Sequence, residues 1–272
     1  MASWLHGVKI LHISDTHIPD KRGNNHEGVN PCKKLEKLID LVHNLDLKPS
    51  FSIITGDISN TGTVQSYNLA KKYITQLQEL GGPVFLTMGT KDNRTNFRNV
   101  LLERVSLQEE PYCYYSESIE GLHIIAMDSH TVGSNIGSFN IRQLDWLENE
   151  LEENDDQPAI IAFHEPIFFF GDEGLFNKKD ALRFKSIVSE GNVLAVLNGH
   201  LHRPFYTVID GVQYIQAGSP LWENSIKDSY HLSYDSSSFN LLSYSEGNLS
   251  VRPISFSDRT RVFRRINDKQ SK

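Results

Sequence analysis

Five short clusters of polar residues, rich in aspartate and histidine, lie between positions 15 and 202 of this sequence. They are Asp15-Thr16-His17, Gly56-Asp57, Gly89-Thr90-Lys91-Asp92, His164-Glu165-Pro166 and Gly199-His200-Leu201-His202. Carboxylate oxygen and imidazole nitrogen, without thiolate, are the ligands of hard to borderline metal ions. The clusters therefore indicate metal-dependent chemistry, provided that the fold brings them together.

The candidate metal ligands outnumber what a single tetrahedral ion needs. They are Asp15, His17, Asp57, His164, His200 and His202. Alternate side chains of an extended segment point the same way, so Asp15 and His17 present a pair of ligands, as do His200 and His202. The set suits two ions about 3.5–4 Å apart that share one bridging carboxylate.

A short apolar run, typical of a buried strand, precedes each cluster. The predicted strands are Val8–Ser14, Phe51–Thr55, Val84–Met88, Leu122–Met127, Ala159–Phe163 and Val193–Leu197. Ligands bind at the carboxyl ends of the strands in an α/β sheet, so distant residues are expected to converge there. Gly56 and Gly199, beside two of the ligands, allow close approach and sharp turns of the backbone.

Between these strands, apolar residues three to four positions apart predict amphipathic helices. The helical patterns run over Leu35–Leu45, Val64–Leu77 and Ile141–Leu151, and further strands are predicted near His231–Tyr234, Phe239–Ser243 and Leu249–Ile254. Asp210-Gly211 is a strong signal for a hairpin turn. The pattern predicts one α/β domain with a mixed sheet whose C-terminal part is antiparallel.

Composition excludes several classes of protein. Hydrophobic residues make up 39% and charged residues 22%, which excludes wholesale disorder and a coiled coil. No apolar run approaches the roughly 18 residues that a membrane span needs, and two cysteines are too few for a disulfide framework. The net charge of -7 argues against a nucleic-acid surface. The first residues lack a signal-peptide pattern, so a cytoplasmic protein is expected.

The last seventeen residues form a basic segment. Residues 256–272 contain six basic and two acidic side chains, which give the segment a charge of +4. We expect one domain over residues 1–255, followed by this tail at residues 256–272. The tail is expected to be solvated, or else to pack on an acidic surface or a partner.

The order of the clusters resembles that of the calcineurin-like metallophosphoesterases: Asp-x-His, Gly-Asp, Gly-Asn-His-Asp/Glu, His and Gly-His-x-His. Within that superfamily, Leu11–His17 and the overall spacing most resemble the bacterial class III cyclic-nucleotide and glycerophosphodiester phosphodiesterases. The resemblance covers about Val8 to Pro220. It implies a four-layer α/β/β/α sandwich with mixed sheets and a dinuclear metal site.

The resemblance also implies a role for each candidate ligand. Asp15, His17 and His202 would hold a first ion, Asp57 would bridge, and His164 and His200 would hold a second. The two divalent or trivalent ions would be manganese, iron or zinc, which the sequence does not separate. A hydroxide that they activate would attack phosphorus in line. The implied function is a metal-dependent phosphodiesterase that acts on a small phosphoester, such as a cyclic nucleotide or a glycerophosphodiester.

The third cluster departs from the family pattern at two positions. Thr90 stands where the family has an asparagine ligand to the second ion, and a hydroxyl is a poorer donor than an amide oxygen. Lys91 stands where the family has a histidine that contacts the substrate. Because an ammonium donates hydrogen bonds to phosphoryl oxygens, Lys91 is the predicted catalytic residue. Thr90 and Asp92 are weaker candidates, as a ligand or as a support for one.

Two alternatives stay open at this point. Thr90, Lys91 and the basic tail fit a catalytically weak relative that binds a nucleotide or a protein partner. The same ligands would also serve a metallohydrolase that acts on something other than a phosphoester. The sequence fixes neither the oligomeric state nor the physiological substrate.

Several residues near the clusters have more than one interpretation. For His26 and His130, in predicted loops, a surface position is favoured over contact with substrate. Glu165 either orients the neighbouring His164 or faces solvent. The run Phe168-Phe169-Phe170 is expected in the core, or as an apolar wall for an organic leaving group.

Overall fold

The computed structural model describes residues 7–103, 105–168, 175–227, 230–234, 236–257 and 264–265. The helices are α1 (Pro31–Asn44), α2 (Val64–Leu80), α3 (Arg94–Leu101), α4 (Ile141–Glu153) and α5 (Lys178–Glu190). The strands are β1 (Val8–Ile13), β2 (Phe51–Thr55), β3 (Val84–Thr87), β4 (Tyr115–Ile119), β5 (Leu122–Ala126), β6 (Ala159–Ala162), β7 (Val193–Asn198), β8 (Phe205–Ile209), β9 (Val212–Gln216), β10 (Glu223–Lys227), β11 (Tyr230–Tyr234), β12 (Ser236–Ser245), β13 (Asn248–Ser257) and β14 (Arg264–Arg265). No helix in this part of the chain is long and apolar enough to cross a membrane.

The first strand lies at the centre of a five-stranded sheet with the order β13-β12-β1-β2-β3. β2 pairs with β1 in parallel and β12 pairs with it in antiparallel orientation. His12, in the middle of β1, is fully buried and contacts the side chains of Thr55 (3.0 Å) and Asn240 (3.3 Å). Burial lowers the pKa of His12 to about 3, so this histidine is a neutral, packed residue of the sheet.

A second sheet has six strands in the order β4-β5-β6-β7-β9-β8, and β10, β11 and β14 form a small third sheet. The apolar runs predict one mixed sheet, and the structure has a second one, as the resemblance implies. Apolar runs predict where strands lie but not which strands pair, and β4 to β9 pair among themselves rather than with β3. The hairpin prediction is confirmed, because Asp210 and Gly211 join β8 to β9 with φ angles of 52° and 84°.

The second sheet is covered on both faces, since neighbouring residues along its strands point to opposite sides. Ile124, Ile160 and Ala195 lie in the core shared with the first sheet, and Ile125, Ile161 and Val196 lie in the core under α4 and α5. Apolar residues of α1 and α2 pack against the first sheet. These layers confirm the expected four-layer α/β/β/α sandwich with mixed sheets.

Each helix begins at a polar side chain that accepts a hydrogen bond from the backbone of the first turn. These residues are Asn30, Thr63, Asn93, Asn140 and Asn177. The sequence patterns do not predict α3 or α5. α3 has only eight residues, of which Phe97 alone is buried, so its pattern is too short to recognise. The apolar face of α5 is Ala181, Phe184, Ile187 and Val188, and the exposed Leu182 beside it obscures the spacing.

The boundary expected at residue 255 falls inside β13, which ends at Ser257. Most of the basic tail lies outside the described residues, as do Phe169 and Phe170. Phe168 packs edge-on against Tyr214 at a ring distance of 4.7 Å, which favours core packing for this residue.

Replacing Phe184 with alanine is expected to destabilise the fold. Phe184 is fully buried on α5 and packs edge-on against Phe163, the residue that precedes His164. The cavity should cost about 3–5 kcal/mol of unfolding free energy, measured by urea denaturation. Leu182→Ala, on the same helix but 58% exposed, is the matched control and should cost less than about 1 kcal/mol. Equal losses would contradict the proposed packing.

Candidate metal centre

The loops after β1 and β2 stay paired beyond the ends of the strands. Asp15 N–H donates to Gly56 O (3.1 Å) and His17 N–H donates to Asp57 O (2.9 Å). In the second sheet, Gly199 N–H donates to the carbonyl of His164 (3.0 Å). The two sheets meet where His200 N–H donates to Asp15 Oδ2 (2.9 Å). Backbone hydrogen bonds thus carry the four loops to one location.

The structure brings five of the six predicted ligands together in two overlapping groups. One group is Asp15, His17 and His202, and the other is Asp15, Asp57 and His164. Within each group, the nearest ligand atoms lie within 4.8 Å of one another. His200 adjoins the second group, with its Nδ1 atom 3.3 Å from His164 Nε2.

The carboxylates of Asp15 and Asp57 each approach histidines of both groups. Asp57 Oδ2 is 3.7 Å from His17 Nε2, and Asp57 Oδ1 is 3.6 Å from His164 Nε2. Asp15 Oδ1 is 3.4 Å from His202 Nε2 and 3.8 Å from His164 Nε2. Either aspartate is therefore placed to contact ions on both sides.

Unpaired atoms of this cluster fit bound metal ions. Asp15 Oδ1 is buried and makes no hydrogen bond to any described residue. The Nε2 atoms of His17 and His202 are 3.1 Å apart. Metal–nitrogen bonds of about 2.0–2.1 Å place tetrahedral ligands roughly 3.3 Å apart, close to that separation. Oxygen and nitrogen donors at these distances suit divalent metal ions.

A buried carbonyl sets the orientation of His164. Its Nδ1 atom lies 2.7 Å from Thr55 O, so Nδ1 carries a proton and donates it to that oxygen. Nε2 then faces Asp57 and Asp15. A backbone oxygen behind a ligand histidine is a common way to hold the ring in place.

Burial and the neighbouring charges act in opposite directions on the pKa values of the cluster. Burial opposes a charge on His164, but Asp57 and Asp15 outweigh it and raise the pKa of His164 well above its usual value. Burial alone would raise the pKa of Asp15, but His202 and His164 lower it to about 2. Burial lowers the pKa of His17 to about 3. The lowered pKa of Asp15 keeps this carboxylate ionised beside the histidine rings.

Most of the predicted ligands have an unusual backbone conformation. Asp15, His17, Asp57, His200 and His202 have positive φ angles of 56°, 43°, 46°, 75° and 50°. Residues other than glycine occupy this left-handed region infrequently, and the surrounding structure must hold them there. The strand ends and loop hydrogen bonds described above provide that restraint.

Glycines allow the loops to approach as closely as predicted. A Cβ atom on Gly56, where φ is +80°, would lie 2.5 Å from His164 Nδ1. A Cβ atom on Gly199 would lie 1.7 Å from Ser14 Oγ. Any side chain at either position would displace the cluster, so the expected role of both glycines is confirmed.

The third cluster contacts Asp57 through Thr90 and Lys91. Lys91 N–H donates to Asp57 Oδ1 (2.7 Å), and Thr90 Oγ1 is 3.3 Å from both oxygens of that carboxylate. The Lys91 residue is exposed. Burial lowers the pKa of the nearby His26, and the positive charge of Lys91 acts in the same direction.

Asp92 fastens the loops behind the cluster. Its carboxylate accepts hydrogen bonds from the backbone N–H groups of Ile58, Ser59 and Gly89 and from the Tyr67 hydroxyl. Burial raises the pKa of Asp92 to about 7, and the charge of Asp57 adds to this. Asp92 therefore supports the loops that follow β2 and β3.

Sequence reasoning underrated three residues near the cluster. His26 is half-buried, with its ring centroid 4.8 Å from that of His17, so a plain surface position is wrong. Glu165 is fully buried and accepts a hydrogen bond from Ser129, so it does not face solvent. Trp222 packs on His202 with ring centroids 4.9 Å apart, and no sequence pattern pointed to it.

Comparison with known proteins identifies relatives over most of the chain. Residues 8–204 match the family described as Calcineurin-like phosphoesterase. A probable cyclic nucleotide phosphodiesterase of Rhodococcus erythropolis is 27% identical over 220 residues, which cover 80% of this chain and 72% of that protein. A probable glycerophosphodiester phosphodiesterase of Arcobacter nitrofigilis is 28% identical over 215 residues, 78% of each protein.

Solved structures share the fold. A dimetal phosphatase from Danio rerio superposes with a TM-score of 0.68 at 14% identity, covering 92% of this chain and 98% of that one. A purple acid phosphatase from yellow lupin seeds gives a TM-score of 0.64 at 11% identity, covering 92% of this chain and 53% of that one. At these identities, the likeness concerns the fold alone.

Replacing Asp92 with asparagine is expected to loosen the loops. The substitution replaces one oxygen of the carboxylate with an NH₂ group, which cannot accept hydrogen bonds from the N–H and O–H donors around it. The loss should cost about 1–3 kcal/mol of unfolding free energy. Urea denaturation of metal-free protein measures this loss. Asp40→Asn, at an exposed position on α1, is the matched control. An unchanged midpoint for Asp92→Asn would contradict its assigned role.

Proposed function

Because this chain belongs to the calcineurin-like phosphoesterase family, we propose that it hydrolyses phosphodiesters at a dinuclear metal centre. It is a metal-dependent phosphoric ester hydrolase, as its relatives with phosphodiesterase names indicate. The observation that carries the proposal is the pair of overlapping ligand groups that share Asp15. The binding-only alternative is less favoured, since all six predicted ligands converge.

The proposed ligands divide between two ions. Asp15, His17 and His202 would hold one ion, His164 and His200 would hold the other, and Asp57 would contact both. The Oδ1 atom of Asp15 also lies near one histidine of each proposed ion, His202 and His164. Manganese, iron or zinc ions are the proposed occupants, and when bound they lower the pKa of water and neutralise phosphoryl charge.

The protein's own contribution is to fix charges and donors around the phosphate. Thr90 and the Lys91 backbone hold the Asp57 carboxylate from one side. Thr55 O holds His164 in the orientation that directs Nε2 toward the carboxylates. Such preorganised groups need no rearrangement during the reaction, which is a large part of catalysis in polar active sites.

Lys91 is the proposed catalytic residue. Its backbone N–H donates to the Asp57 carboxylate and the residue is exposed, so we place its ammonium beside a phosphate bound at this carboxylate. A lysine in this place donates a hydrogen bond to a phosphoryl oxygen and adds positive charge as the transition state forms.

The proposed substrate is a small organic phosphodiester, such as a cyclic nucleotide or a glycerophosphodiester. This rests on the names of the relatives, which include both kinds of phosphodiesterase. A cytoplasmic location is also proposed. The thiols of Cys32 and Cys113 are free, as in proteins of reducing compartments.

Metal-dependent hydrolysis of bis(4-nitrophenyl) phosphate should be detectable. Protein stripped with a chelator should regain activity with Mn²⁺, and Asp57→Asn should lose at least about 100-fold in kcat/KM, because it removes the bridging charge. Release of 4-nitrophenolate measures the rate, and Asp40→Asn is the control. The diester should be preferred over 4-nitrophenyl phosphate. A folded, metal-loaded protein without turnover would contradict the proposal.

Lys91→Ala should lower kcat/KM for the diester by about 10–100-fold, because a donor to the phosphoryl group is lost. Metal content, measured by inductively coupled plasma mass spectrometry, should stay unchanged. Lys48→Ala is the control and should have no effect, because this exposed lysine precedes β2 whereas Asp57 follows that strand.

The double variant Thr90→Asn/Lys91→His restores the family motif. A gain of 100-fold or more from it would argue for the catalytically weak alternative.

A further inference from the structure

An indole encloses the histidines of the first ligand group. Trp222 lies just before β10, and its ring centroid is 4.9 Å from that of His202 and 5.2 Å from that of His26. It is nearly parallel to the His17 ring, at 7° and 6.4 Å. His26 packs on the same His17 ring at 4.8 Å. Aromatic contacts thus surround two of the three ligands.

Hydrogen bonds fix the indole to the loop that carries His202. Trp222 Nε1–H donates to Asn224 Oδ1 (3.1 Å). Asn224 in turn donates from its side-chain amide to Leu201 O (3.2 Å) and from its backbone N–H to His202 O (3.1 Å). The indole and the histidine loop therefore keep a constant spacing.

The two histidines lack the support that His164 has. A ligand histidine is normally held by a hydrogen bond from its second ring nitrogen, and Thr55 O provides this for His164. The Nδ1 atoms of His17 and His202 are buried but make no hydrogen bond to any described residue. The ring torsion of histidine is broad, so another interaction must hold these rings.

We propose that Trp222 is a positioning residue of the metal centre. The flat face of its indole, fixed by Asn224, takes the place of a hydrogen bond to Nδ1 and keeps Nε2 of His17 and His202 directed toward Asp15. Contacts between aromatic rings are favourable beyond the area that they bury, so the indole restricts two rings whose Nδ1 atoms make no hydrogen bond to a described residue. This role rests on the dinuclear centre of the proposed function.

Metal affinity tests the role without measuring activity. Mn²⁺ is titrated into the chelator-stripped, full-length protein and followed by isothermal calorimetry. Trp222→Ala should weaken one of the two ions by about 10–100-fold, the usual effect of losing the support behind a ligand, and leave the other nearly unchanged. Trp222→Phe keeps a flat ring and should restore the lost affinity to within about threefold.

Trp146→Ala is the matched control. Trp146 is also half-buried, and its ring centroid is 4.9 Å from that of Tyr114. It packs against the core under α4 and α5. The Trp146→Ala variant should lower the urea midpoint of unfolding without changing the affinity for either Mn²⁺ ion. Trp222→Leu keeps apolar volume without a flat ring, so it should show the same selective loss, and it replaces the alanine variant if that variant does not fold.

The outcomes separate the two proposals. If Trp222→Leu binds both ions as tightly as the wild type does, the positioning role is overturned and the proposed function is not. Equal weakening of both ions would also overturn it, because the indole would then serve only the fold. A wild-type protein that binds no Mn²⁺ would overturn the proposed function together with this role.

Discussion

Two carboxylates buried side by side set the central constraint on this molecule. Asp15 and Asp57 are nearly inaccessible to water and approach the same imidazole nitrogens. Burying an uncompensated charge is costly, so positive charge must lie close by. Backbone N–H groups and the His164 ring provide part of it, since Asp57 and Asp15 raise the pKa of His164 well above its usual value. The loops and glycines around the two aspartates keep them in place.

The restraint on these loops comes from the sheets rather than from the loops themselves. Left-handed backbone at five of the ligands costs on the order of 1–3 kcal/mol each, and short loops alone would relax to other conformations. Here each loop begins at the end of a buried strand and is paired with its neighbour. Asp92 ties the second and third loops together. The rigidity of two packed sheets is thus transferred to the ligands.

The sequence predicted the strands before each cluster, the six converging residues and the glycines between them, because each leaves a local pattern. Buried strands are apolar runs, and ligands are rare residue types at their ends. The split into two sheets left no such pattern, since strand pairing depends on the whole chain. Trp222 escaped notice because its contact with His202 depends on how the chain enters β10. Likewise, Glu165 and His26 became meaningful only when Ser129 and His17 were placed beside them.

The position of β1 between β2 and β12 has a consequence for how the protein is made. All six ligands precede residue 203, yet the second hydrogen-bonding edge of β1 is completed by residues 240–244 of β12. A growing chain that had just finished its last ligand would still expose the edge of a strand containing Ile10, Leu11 and Ile13. Such apolar edges pair readily with other chains, and contacts over more than 220 residues form slowly. Pairing of β12 with β1 therefore protects this apolar edge only after the last ligand has been made.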